Sequence, residues 1–281
     1  KLLPNTKVSD DGNVLFNKAF GGTKIVIGKN DSIVIYKNKV VMASYRFSKE
    51  IRPTAIELDQ KFLNFGSLSP YSNYNCQINS TNNAMIQSPV TQSKMFITAH
   101  QLPIINLWSF TKKGLKHMCT LRGRFTPIDC FLLDSSMAII IAGHVDGYIS
   151  VFSTNPCVFI REIKCKIEAP VFMLKLVRTK GNIICFQIDE KNSLTIITMW
   201  SINGQILGEL KIPDFIKDCI ITAFAEGTIR NIIVMLTNNS ELLVIEERSF
   251  EDSVIDPQKF LTRYQIGSNE YTSIQLWRNS I

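Results

Sequence analysis

Asp146-Gly147-Tyr148-Ile149-Ser150-Val151-Phe152 is the stretch on which the reading of this chain turns. Asp-Gly is a two-residue turn signal, because glycine takes a positive φ at no steric cost and aspartate tolerates it. Tyr148 to Phe152 then alternates as a strand does and ends on a large apolar residue. The same order of turn, aliphatic, spacer, aliphatic and bulky apolar residue recurs in Asn30-Asp31-Ser32-Ile33-Val34-Ile35-Tyr36 and in Leu102-Pro103-Ile104-Ile105-Asn106-Leu107-Trp108. Weaker copies end at Trp200, Ile245 and Trp277. From Trp108 to Phe152, Trp200 and Ile245 the interval is roughly 44 to 48 residues. That period suits an array of small sheets and not a single enzyme core.

Working outward, Ile128, Cys130 and Leu132 alternate as an inner strand, Asp134-Ser135-Ser136 turns, and Ala138 to Ala142 form a wholly apolar second strand before the Asp-Gly turn. Further along, Val171 to Val177, Asn182 to Ile188 and Leu194 to Trp200 read as three strands, and Asn203-Gly204 as the hairpin into a fourth from Gln205 to Ile212. Ile220 to Ala225, Ile232 to Leu236 and Glu241 to Glu246 repeat the plan. Pro70 to Asn83 reads as a surface loop, Glu247 to Gln258 as a polar excursion, and Phe260 to Trp277 as a closing unit. The expectation is an all-β chain, a β-propeller of six or seven four-stranded blades, with the count open at Phe62 to Ser69 and at the C-terminus. Residues 1–281 are taken as one domain and as a fragment of a longer protein, because no methionine-led apolar targeting segment precedes Lys1; that the fragment is the C-terminal part is what the second resemblance below implies. A content of 45% hydrophobic residues can fill such a fold, in which each blade buries its faces against its neighbours.

Several classes of chemistry find no support. No apolar run approaches the roughly 18 residues of a membrane-spanning helix; Cys219 to Thr237 contains Glu226 and Arg230 and reads as two strands. The seven cysteines, an odd number, show no pair at the spacing of a zinc ribbon or redox motif, and Cys130 and Cys185 lie in apolar stretches as small core residues. A reducing, cytoplasmic setting is expected. His100, His117 and His144 fall in three separate turns without metal-ligand spacing, and His117 near Cys119 or Asp146 near His144 makes no catalytic signature. Gly21-Gly22 ahead of Thr23-Lys24 lacks both the spacing and the helix of a phosphate loop. Trp108, Trp200 and Trp277 read as third-strand packing residues. No catalytic, cofactor or metal residue is assigned.

The formal net charge of +7 is unevenly spread. Lys112, Lys113, Lys116, His117, Arg122 and Arg124 lie between Thr111 and Ile128 with no acidic residue among them. Such a strip serves as a solvated connector, or meets an acidic protein partner or an anionic membrane surface. Nucleic acid is disfavoured, because the strip reads as lacking the interleaved aromatics that stack on bases. The expected contact surface joins His100, Gln101, His144 and Asp146, at the turns before third strands, to Lys112, Lys113, Lys116, Arg122 and Arg124.

Two resemblances follow from these residues. Leu121-Arg122-Gly123-Arg124, Ile128-Asp129-Cys130 and Ala142-Gly143-His144-Val145-Asp146-Gly147 through Phe152 resemble a WD repeat, with Arg124 in place of the repeat's histidine and Phe152-Ser153 in place of its Trp-Asp pair. The hydrogen-bonded His and Asp network of such repeats is therefore not expected in this blade. Trp200-Ser201-Ile202-Asn203-Gly204-Gln205, Asp218 to Ala223 and Glu226 to Ile233 are similar to the C-terminal WD-repeat region of BEACH-domain proteins, in which an Ile-Asn-Gly turn is followed by an insertion ahead of the next blade's second strand. Asn239-Ser240 departs from that family, where glycine is expected. The resemblance implies a non-catalytic scaffold in vesicle or lysosomal membrane traffic, cytoplasmic and peripheral to endosomal or lysosomal membranes, whose partners are proteins, peptides or an adjacent BEACH-type domain. The alternatives are a WD-repeat adaptor of another complex (coat, ubiquitin ligase or RNA-associated) and a propeller hydrolase gathering Asp146, Glu190 and Arg230.

Overall fold

The computed structural model describes residues 14–20, 23–28, 32–37, 40–47, 53–58, 94–100, 102–111, 114–226, 228–251 and 257–266. The expected Gly21-Gly22 turn, the loop over 70–83, the segment 62–69 and the end of the chain with Trp277 lie outside these residues. Within them stand five four-stranded sheets, each built from consecutive strands in chain order. The first contains β1 (Val14–Phe20), β2 (Thr23–Gly28), β3 (Ser32–Lys37) and β4 (Val40–Arg46). The second contains β5 (Pro53–Leu58), β6 (Lys94–His100), β7 (Ile104–Thr111) and β8 (Gly114–Arg122). The third contains β9 (Ile128–Asp134), β10 (Ile139–His144), β11 (Tyr148–Thr154) and β12 (Cys157–Lys164). The fourth contains β13 (Val171–Val177), β14 (Asn182–Asp189), β15 (Leu194–Trp200) and β16 (Ile206–Ile212). The fifth contains β17 (Ile216–Glu226), β18 (Thr228–Thr237), β19 (Glu241–Glu246) and β20 (Thr262–Gln265).

The recurring sequence pattern falls each time on a third strand. Tyr36 lies on β3, Trp108 on β7, Phe152 on β11, Trp200 on β15 and Ile245 on β19. The middle strands are the most apolar because both of their faces are covered. Every residue of β10 is buried, whereas the outer strands β8 and β12 are exposed over much of their length.

The described residues gather into two compact units. The first runs through Ala142 and takes in Ser150–Glu162; the second takes Gly143–Ile149 and the chain from Ile163 onward. In the first unit, Ile33 and Ile35 pack with Phe47, Ile56, Phe96 and Trp108, so the first and second sheets share a core. Ile97, Ile105 and Leu107 of the second sheet pack in turn on Leu133, Ile140, Ala142 and Phe152 of the third. In the second unit Ile184, Phe186, Ile197 and Met199 meet Cys219, Ile233, Met235 and Leu243, joining the fourth and fifth sheets. Burying each aliphatic side chain of this size contributes about 1.5–3 kcal/mol.

The turns follow from their residues. Asp134 Oδ1 accepts the backbone N–H groups of Ser136 at 3.0 Å and Met137 at 3.2 Å and the Ser136 hydroxyl, which closes the β9–β10 turn. Gly147 and Gly204 take φ of 81° and 82° in the two glycine hairpins.

Three expectations change. The stretch ahead of the expected strand Ile232 to Leu236 is not an insertion, because β17 and β18 pair in one register from Asp218 opposite Leu236 to Glu226 opposite Thr228, with a register shift only between Ile216 and Asp218. The start of the supposed closing unit, Thr262–Gln265, is instead the outer strand of the fifth sheet, paired with β19 from Glu241 to Val244. The polar excursion after β19 begins with a buried carboxylate, Glu247, and one helical turn over Arg248–Glu251.

Candidate interaction surface

The nine residues expected at a contact surface separate into three groups. Gln101, Lys112 and Lys113 lie outside the described residues. His100 and His144 are buried, which corrects their placement on a surface: each ends a central strand with its ring turned into the interior. Lys116, Arg122 and Arg124 remain on β8 and the connector after it in the first unit, and Asp146 in the β10–β11 turn of the second.

The burial of His100 has a structural reason. Trp108 Nε1 donates to Thr98 Oγ1 at 3.0 Å, and Thr98 Oγ1 lies 2.9 Å from His100 Nε2. Asn106 Nδ2 donates to the same nitrogen at 2.9 Å, so Nε2 is an acceptor, and Thr120 Oγ1 donates to Asn106 Oδ1 at 2.6 Å. Thr98 stands opposite Asn106, and Asn106 opposite Thr120, so one polar row crosses β6, β7 and β8. His117 joins it from β8, 3.4 Å from Asn106 Oδ1 and edge-on to Trp108. This is a hydrogen-bonded Trp, Thr, His and Asn network in the second blade.

Nucleophilic chemistry is poorly served. Burial, together with the neighbouring Cys157, pushes the Cys119 thiol up to about 12, and burial does the same to Cys219. Neither is a thiolate at neutral pH, and the thiolate is the reactive form. Among the described residues no group of three or more His, Cys, Asp or Glu side chains could hold a metal ion. Glu190 is exposed in the turn between β14 and β15, whereas Arg230, next to the β17–β18 turn, lies 3.7 Å from Glu246.

What the structure adds is a groove in the first unit. Arg122, Gly123, Arg124, Phe125, Phe159 and Glu162 line an open groove of about 390 Å³. Phe125 is 91% exposed, and on β12 the consecutive residues Val158, Phe159 and Ile160 are 46%, 44% and 43% exposed. Arg124 Nη1 meets Glu162 Oε1 at 2.7 Å along one wall, and the Phe159 ring rests edge-on against buried Phe152 at 5.6 Å. The basic strip therefore does carry an aromatic, Phe125, directly after Arg124. The sequence signal for this site was the run Val158-Phe159-Ile160 after the Asn155-Pro156 turn, which no strand assignment had covered.

With this geometry in hand, comparisons with known proteins define the fold. No protein-family model matches the chain, and no curated protein sequence does. Solved structures do: BBS1N in complex with ARL6DN, with TM-score 0.60 and 11% identity over 94% of this chain and 70% of that one. The β-propeller domain of Cps50 (Swd1) from Myceliophteria thermophila gives TM-score 0.58 and 10% identity over 95% and 78%. The computationally designed Ika8 protein gives 0.52 and 12% over 95% and 78%. At such identities the likeness is one of fold. The chain is an all-β protein with the β-propeller fold, and its five described sheets are blades.

Proposed function

We propose that this chain is a non-catalytic interaction scaffold whose blade edges hold protein or peptide partners. The observation that carries the reading is the use of its polar side chains. The buried His100, Asn106 and Thr98 of the second blade bond to one another, with Thr120 donating to Asn106, and the carboxylate of Glu247 is taken up by Asn182 and Asn231. Large apolar side chains meanwhile stand exposed on outer strands. A hydrolase built on Asp146, Glu190 and Arg230 is disfavoured by topology. In a four-stranded meander the turn between the first two strands and the turn between the second and third open at opposite ends of the blade. Arg230 adjoins a turn of the first kind and Glu190 lies in one of the second. Propellers of the same fold in solved structures include BBS1N, crystallised in complex with ARL6DN, which supports a partner-holding role.

Within this reading the narrower proposal is the C-terminal propeller of a BEACH-type protein in vesicle or lysosomal traffic, with an adjacent BEACH-type domain as a partner. Its support is the Ile-Asn-Gly turn, in which Gly204 N–H donates to Ser201 C=O at 2.9 Å. The continuous β17–β18 hairpin, which replaces the expected insertion, weighs against it. The cytoplasmic setting rests on the sequence pattern of the cysteines, seven in number with no pair at the spacing of a zinc ribbon or redox motif, of which Cys165, Cys185 and Cys219 are buried as small core residues.

The test is affinity isolation of the tagged chain at physiological salt, followed by mass spectrometry, beside turnover assays on ester, phosphoester and glycoside substrates. A reproducible set of stoichiometric partners without turnover is expected. A chain that elutes alone and turns over one of those substrates would replace the scaffold reading with an enzymatic one.

A further inference from the structure

We infer that the groove between the β8–β9 connector and β12 is a docking site for an extended acidic peptide with an apolar anchor residue, which pairs with the free edge of β12. The inference rests on the scaffold reading above and names the surface and the chemistry of its partner.

Three features converge there. The first is the edge itself. In the third sheet β12 is the outermost strand, so no described strand occupies its far side. Exposed sheet edges are usually guarded by charge, proline or bulges, because unpaired N–H and C=O groups invite another strand. Here three consecutive exposed residues, Val158, Phe159 and Ile160, are all apolar. Since successive side chains point to opposite faces, this part of the edge is apolar on both faces, with the charged residues Arg161, Glu162 and Lys164 following it along the strand.

The second is the anchor pocket. Phe125 stands almost fully in solvent on the connector and, with Phe159, supplies aromatic walls to the groove. Strand addition commonly combines main-chain pairing for affinity with a side-chain pocket for selectivity, and the two adjoin here. A volume of about 390 Å³ is large enough for a bulky anchoring side chain.

The third is charge. Glu162 is the one acidic residue lining the groove, and it is paired with Arg124 at 2.7 Å. Arg122 is exposed and makes no ion pair with a described carboxylate, and Lys116 is exposed further along the same strand. The whole stretch from Thr111 to Ile128 contains no acidic residue. A carboxylate-bearing segment is therefore the complementary occupant. The same basic and aromatic composition could meet an anionic bilayer. Lipid, however, has no backbone to satisfy the edge of β12, and on that ground the peptide is favoured.

The experiment uses the whole chain and a fluorescent peptide of about eight residues, an ordinary strand length, alternating glutamate with leucine or phenylalanine. A peptide with lysine in place of glutamate, and phosphatidylcholine vesicles enriched in phosphatidylserine, serve as comparators. Saturable binding of the acidic peptide is expected, with a loss of at least about tenfold in Phe125→Ala and again in Arg122→Glu, each a change of about 1.4 kcal/mol or more. Lys191→Glu, on the exposed turn of the fourth blade, is expected to bind as the parent does. Circular dichroism establishes that the variants keep their fold, which exposed positions favour. Absent or equal binding of the two peptides, an equal loss in Lys191→Glu, or binding to vesicles alone would each overturn the inference. If Phe125→Ala retains its partners in the affinity isolation, the groove is refuted while the scaffold reading stands.

Discussion

At the scale of single residues, Gly147 shows how a turn that is plain in the sequence carries a second constraint that is not. Its φ of 81° is the reason for glycine in an Asp-Gly turn, and that much is legible from Asp146-Gly147 alone. A Cβ at this position would also collide with the carbonyl oxygen of Ile167 and lie 3.2 Å from the backbone N of Ala169. That segment cannot give way easily, because Gln187 Nε2 donates to Ile167 C=O at 3.0 Å and to Ala169 C=O at 2.7 Å. Cys165 N–H also donates to Gly147 C=O at 2.9 Å. Gly204 separates the two effects: it has the same φ, but a Cβ there would meet only Ile163 Cγ1 at an ordinary 3.4 Å. Gly204→Ala is expected to cost about 1–2 kcal/mol for the left-handed backbone. Gly147→Ala adds an overpacking cost of about 1–3 kcal/mol, and Gly147→Val costs more still. Thermal melts of the three variants read the difference directly; equal losses in the two alanine variants would show that Ile167 to Ala169 does not press on the turn.

At the scale of elements, the central strands were legible and the outer ones only in part: the Asn203-Gly204 hairpin announced β16, whereas nothing announced β12 or β20. These third strands have no exposed residue and are flanked by turn residues, so Tyr148 to Phe152, Leu194 to Trp200 and Glu241 to Glu246 announce themselves. An outer strand such as β12 or β20 is partly or wholly exposed, so its sequence is free of the alternation that burial imposes. Polar clamps escape for a different reason: glutamate reads as surface by default. Glu247 is 2% exposed, and its oxygens accept Asn182 Nδ2 from β14 at 2.8 Å and Asn231 Nδ2 from β18 at 2.6 Å. Its partners lie 65 and 16 residues away in sequence, out of reach of any local pattern. This carboxylate ties the fourth blade to the fifth. Glu247→Ala strips a buried acceptor from two amides, and a loss of about 2–6 kcal/mol is expected at about 1–3 kcal/mol for each unsatisfied group. Glu247→Gln, which keeps one acceptor, is expected to lose less. A urea midpoint for Glu247→Ala that matches the parent would show that the clamp contributes nothing.

At the scale of the whole chain, the periodicity of the third strands identified the propeller, because a repeat of sheets imprints its spacing on the sequence. The contact surface was less legible. The sequence placed it at turns near His100 and His144, whose rings proved buried. It passed over Phe125 and Val158 to Ile160, where the exposed apolar surface lies. Their exposure depends on which strand ends a sheet, a property of the assembled blade. That distinction predicts a pattern of stability across the blades. Central strands such as β10 and β14 pair on both sides and are covered on both faces, so their amides open only with extensive unfolding. Outer strands such as β8, β12 and β20 pair on one side and expose many side chains, so local opening frees them at much lower cost. Native-state hydrogen exchange, resolved by peptide or by residue, should therefore give slow exchange on second and third strands and fast exchange on β8, β12 and β20, with β16 slower because Phe250 packs on Gly208 and Gln258 Nε2 donates to Lys211 C=O at 2.7 Å. Protection of β8, β12 and β20 as strong as that of second and third strands would mean that those edges are covered. Added acidic peptide should selectively slow β12, since its free edge is the one strand edge the inferred ligand would occupy.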